Sequence, residues 1–116
     1  MKRMTLVEFK KELEVIKEYS QKKIDEFTAR FKEHQVYAMT WSDSLFEAVT
    51  RKSAVEEIQE ALSNGATLDD VEKHLTKEVL QRARFPQRST SVSSNLVEQY
   101  LNSARAELLA RLQRDL

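Results

Sequence analysis

The sequence predicts an all-α fold, a small bundle of about four helices led by one long N-terminal amphipathic helix. Three observations predict it. One Gly and one Pro occur in 116 residues, whereas sheets and turn-rich folds need those residues as punctuation. The balance of 33% charged and 41% hydrophobic residues belongs to a chain that can bury a modest core, not to a disordered one. From Thr5 to about Gln35, apolar or near-apolar side chains recur at Leu6, Phe9, Leu13, Ile16, Ser20, Ile24, Phe27, Phe31 and His34. Those steps of three and four lay them along one stripe of an α-helix. A chain of this length is expected to form a single domain, 1–116.

The first helix is expected over about 5–37. Thr5-Leu6-Val7-Glu8 has the form of a capping box, and Met4 and Phe9 stand where a hydrophobic staple would flank it. The run Val36-Tyr37-Ala38-Met39-Thr40-Trp41 holds no breaker and suits a strand as well as a helix. A short break near 38–43 is expected there, one kinked helix being the alternative, with Tyr37 and Trp41 read first as buried at the corner and second as anchors for a partner. The second helix, about 44–63, opens on a further capping box, Ser44-Leu45-Phe46-Glu47, and turns Leu45, Val49, Val55, Ile58 and Leu62 inward. Asn64-Gly65 stops it, with Gly65 as the left-handed residue after the cap.

Thr67-Leu68-Asp69-Asp70 caps a third helix, about 68–83, with Leu68, Val71, Leu75 and Val79 inward. Residues 84–94 contain the one Pro and a Ser/Thr run, and are expected to form an exposed loop. Asn95, with Glu98 three residues on, starts the last helix, about 96–114, whose seam is Leu101, Ala104, Leu108 and Leu112.

Thirty helical residues span about 45 Å at 1.5 Å each, more than the later helices reach. One end of the Phe-rich stripe is therefore expected to outrun its cover within the chain, the usual remedy being a second copy, and the alternative is that the later helices wrap the whole stripe. The candidate self-association residues are Phe27, Phe31 and His34, the last read first as a helix-end histidine with one face packed and second as a pH-sensitive interface group.

Charge is more informative in segments than in total. Residues 1–36 carry a net +2, residues 37–78 a net −5 and residues 79–116 a net +3. The whole is neutral, so bulk charge does not make this a nucleic-acid-coating protein. The absence of Cys removes disulfides, thiolate metal sites and a Cys nucleophile, and suits a cytoplasmic location. No signal-peptide run opens the chain and no stretch approaches the ~18 apolar residues of a membrane span.

A single Gly excludes both common phosphate-binding glycine motifs, and neither HExxH nor the helical di-iron pattern is present. Asp70, His74 and Glu78, at i, i+4 and i+8, could gather a cation along one face, but ordinary solvated helix faces look the same. The acidic run Glu56, Glu57, Glu60, Asp69, Asp70 and Glu72 reads first as a solvated face and second as a dock for a basic partner. No metal or other cofactor is expected. The helix–Gly turn–helix cadence at 61–71 suggests a DNA reader, but Asp69, Asp70 and Glu72 in the would-be recognition turn would repel phosphate.

Arg82, Arg84 and Arg88 around Phe85-Pro86 form the most suggestive local feature. Guanidinium forks suit carboxylates and phosphates, and an adjacent Phe can anchor in a protein pocket or stack on a base. The plainer reading is three Arg that keep a loop soluble, with Phe85 folded back on the core. The expectation is a non-enzymatic protein–protein interaction module, an adaptor, regulator or inhibitor of a larger protein. Glycine-poor helical chains of this size recur among bacterial and phage accessory factors, which is an association only. The alternative is a nucleic-acid-associated regulator using the Arg-rich C-terminal third.

Overall fold

The computed structural model describes residues 4–84 and 92–113, with the side chains of 4–81 and 96–113. Every element among them is helical: α1 Leu6–Glu33, α2 Gln35–Ala38, a 3-10 turn Met39–Trp41, α3 Ser42–Ser63, α4 Leu68–Arg84 and α5 Val92–Leu112. The all-α bundle with a long first helix is the fold observed. No helix among the described residues is long and apolar enough to cross a membrane.

The start of α1 is as the sequence predicts. Thr5 Oγ1 accepts from the Glu8 N–H at 3.2 Å, and Glu8 Oε1 accepts from the Thr5 N–H at 3.0 Å. Met4 and Phe9 are both buried. A matching reciprocal pair, Thr67 with Asp70, opens α4 at 2.9 and 3.2 Å. Between them α3 ends in a Schellman motif. Ala66 N–H donates to the Ala61 carbonyl at 3.0 Å and Gly65 N–H to that of Leu62 at 3.2 Å. Gly65 has φ +95°, a conformation that L side chains rarely adopt.

Packing follows a simple order. α1 runs antiparallel to α3, with Gln59 on α3 donating to Glu14 on α1 at 2.8 Å. α5 lies between α3 and α4, so α3 and α5 share the centre while α1 and α4 flank them. Met4 N–H meets the Leu112 carbonyl at 3.2 Å, and Arg111 pairs with Glu12, tying the start of α1 to the end of α5. The core joins Phe9, Leu13 and Ile16 to Val55 and Ile58, Val71 and Leu75, and Leu108 and Leu112.

Four local expectations are corrected. The first helix breaks at His34 (φ −141°, ψ 81°), ahead of the expected 38–43, and a short helical turn and a 3-10 turn carry the chain into α3. Ser44 lies inside α3, which begins at Ser42, so its capping box does not form. Val49 is exposed while Ala48, Thr50 and Ala54 are buried. α3 is wedged between α1 and α5, so its buried positions wrap around it and do not follow one stripe. Finally, α5 begins at Val92, not near 96, so Val92, Ser93 and Ser94 are helical. Their propensity deficits are only about half a kcal/mol each, too small to keep a helix from starting there.

Candidate interaction surface

Burial on α1 stops halfway. Phe9, Leu13, Ile16 and Ser20 are its buried residues, yet the helix continues for thirteen more positions, to Glu33. At 28 residues it is about 42 Å long by its rise, against about 26 Å for the 17 residues of α4. The molecule's longest dimension, 46 Å, is therefore set by α1. The far end of α1, the corner and the first turns of α3 make one distal end of the molecule.

That end is apolar and open. Val36 is 83% exposed, Met39 63%, Tyr37 61% and Phe31 40%. Trp41 is also exposed, and the Arg30 guanidinium lies over its ring, 4.8 Å from the centroid. Phe27 and Phe31 stack with centroids 6.1 Å apart and planes 23° apart. Such a contiguous patch marks a contact surface more often than an idle one. The expectation that Tyr37 and Trp41 are buried at the corner is corrected, since both are exposed there. Ala38 is the corner residue that is buried instead.

The structure thus brings Phe27 and Phe31 together and places His34 directly after them, as the cap where α1 ends. Val36 and Met39 join them without having been singled out in the sequence. Their signal was the run 36–41, apolar but for Thr40, which lacks the charged face of an amphipathic helix. Arg82 and Arg84 fall in the last turn of α4, with side chains outside the described residues. Phe85 and Arg88 lie outside the described residues altogether.

Charge divides the rim of this end in two. The last turn of α1 carries Arg30 and Lys32, and the first turns of α3 carry Asp43 and Glu47, all four exposed. Each sign suits its own helix terminus, cations at the C-terminus and anions at the N-terminus. Partial desolvation and the carboxylates of Asp43 and Glu47 push the Tyr100 hydroxyl above its usual pKa. Phe46 and Tyr100 stack at 6.1 Å with planes only 7° apart, where α5 reaches the side of this end.

The carboxylate stripe on α4 is engaged within the fold. Asp70 caps its own helix, and that backbone hydrogen bond, with the Thr67 side chain, holds its carboxyl below the usual range. His74 Nε2 pairs with Glu57 at 2.9 Å, and Glu78 stands 4.0 Å from Arg105. No group of three or more His, Asp or Glu among the described residues is placed to hold a metal ion. Comparison of the chain with family models, with curated proteins and with solved structures finds no match.

Proposed function

We propose that this chain is a non-enzymatic protein-interaction module, an adaptor, regulator or inhibitor that works by docking its distal end on protein. The observation that carries this reading is the grouping of exposed Phe31, Val36, Tyr37, Met39 and Trp41 at one end of the molecule, while the other exposed apolar side chains, such as Val7, Val15 and Leu80, are spread along the helices. Large aromatic side chains with an adjacent Arg are the residue types that dominate binding energy at protein interfaces. An apolar patch rimmed by both signs of charge suits protein better than a polyanion, which would call for a basic surface.

The test is capture with a tagged chain in a bacterial lysate, with and without nuclease, using wild type and a Tyr37→Ser/Trp41→Ser variant. The reading expects near-stoichiometric protein that survives nuclease and is lost in the variant. Capture that nuclease abolishes would overturn it in favour of the nucleic-acid alternative.

A further inference from the structure

Resting on the reading of the distal end as a contact surface, we infer that its partner is a second copy of this chain, held by a two-fold axis through the end. The argument is one of charge complementarity around an apolar centre. The end places two helix termini side by side, a basic one from α1 with Arg30 and Lys32 and an acidic one from α3 with Asp43 and Glu47. A two-fold axis reverses that order, so α1 of one copy faces α3 of the other, and the reverse contact follows by symmetry. Every opposed edge then has opposite charge, twice over, while Phe31, Tyr37 and Trp41 of the two copies meet at the centre. Glu33, at the end of α1, is the one dissenting charge on the basic edge.

The shape supports the same occupant. Two antiparallel helices with an open apolar face are half of a four-helix bundle, and a second such pair supplies the other half. Of this pair the distal part of α1 and the corner are open, with Phe31, Tyr37 and Trp41 exposed, while α3 is covered on its other side by α5, where Phe46 stacks on Tyr100. An interface closed by symmetry also leaves no uncovered copy of the patch to propagate a filament.

Sedimentation velocity over a dilution series, read alongside far-ultraviolet circular dichroism, tests this with four proteins. Wild type is expected to reach twice its 13.6 kDa mass. Arg30→Glu/Lys32→Glu makes both edges acidic, and Asp43→Lys/Glu47→Lys makes both basic. Each should weaken self-association by about tenfold or more. Mixing the two should restore the dimer, since each then offers what the other lacks. The double pair combined in one chain should restore it as well. Both reversals fall on exposed residues, and Arg51, which pairs with Glu47 at 2.7 Å, keeps Glu107 at 3.5 Å.

Wild type that stays at monomer mass throughout overturns the inference, as does a dimer indifferent to both reversals. A dimer that both reversals weaken but mixing does not restore overturns the crossed arrangement. A monomer whose capture of another protein still depends on Tyr37 and Trp41 sinks the pairing and leaves the interaction reading standing. A dimer that behaves as described and captures nothing else establishes the pairing and removes the docking on other proteins.

Discussion

Glu57 on α3 accepts from His74 on α4 at 2.9 Å, and through its other oxygen from Arg105 on α5 at 3.1 Å. α3 and α4 touch little along their lengths, so this carboxylate is a principal polar tie between them. Burial raises the Glu57 pKa, but the hydrogen bonds and charges of His74 and Arg105 outweigh it and leave it below the ordinary 4.5.

A pH dependence follows from that direction. Because the folded pKa is the lower one, the unfolded chain takes the proton first as acid is added. The contribution of Glu57 is therefore present above about pH 4.5 and lost as pH falls through the folded value. Thermal unfolding from pH 7 to 3 should show this acid limb, and Glu57→Gln should flatten it while lowering the midpoint at neutral pH. An unchanged limb in the variant would assign the acid sensitivity to other carboxylates.

The two ends of the α1 stripe should respond differently to truncation. Phe9 is fully buried in the core, and Phe9→Ala should cost about 3–5 kcal/mol. Phe31 is on the same stripe but open to solvent, and Phe31→Ala should cost under about 1 kcal/mol in the monomer. Urea unfolding at concentrations too low for association separates these. Equal losses would mean the distal end is covered within the chain.

Gly65 tests the turn between α3 and α4. A Cβ there would meet nothing within 4 Å, so Gly65→Ala pays only for φ +95°, about 1–2 kcal/mol. Gly65→Asn should cost less, because Asn tolerates the left-handed region better. A loss much above that range would point to a contact made by this turn.

Ser20 is buried on α1, and its hydroxyl has no hydrogen-bond partner. Removing an unsatisfied buried hydroxyl recovers its desolvation cost, about 1 kcal/mol or somewhat more. Ser20→Ala should thus raise the urea midpoint with an unchanged slope. Ser20→Leu should lower it, since the site at which α1 meets its neighbours has no room for the added volume.

Much of this fold is legible in the chain itself. Thr5–Glu8 and Thr67–Asp70 announce helix starts, and Asn64-Gly65 announces a stop, because each is a local hydrogen-bonding or backbone requirement met by residues a few positions apart. The inward faces of α1, α4 and α5 are legible for a similar reason, one side of each facing the core. α3 is not legible in that way, because contact on two sides erases the stripe, and Val49 is misplaced accordingly. Nor do the breaks announce themselves. His34 lies where no strong breaker decides, and α5 starts at Val92 inside a Ser-rich run that offers several credible caps ahead of Asn95, so local signals do not single out one boundary.

The sequence by itself determined that this is a helical protein, where three of its helices start or stop, and that α1 is longer than anything available to cover it. Only the tertiary structure decided that Val36, Tyr37, Met39 and Trp41 stand open at its far end. It also decided that His74 and Glu78 on α4 are taken up by Glu57 and Arg105 from two other helices. The physical reason is one of range. Capping and periodicity act within a turn or two of the chain, whereas exposure and ion pairing between helices depend on how elements far apart in sequence are set against one another.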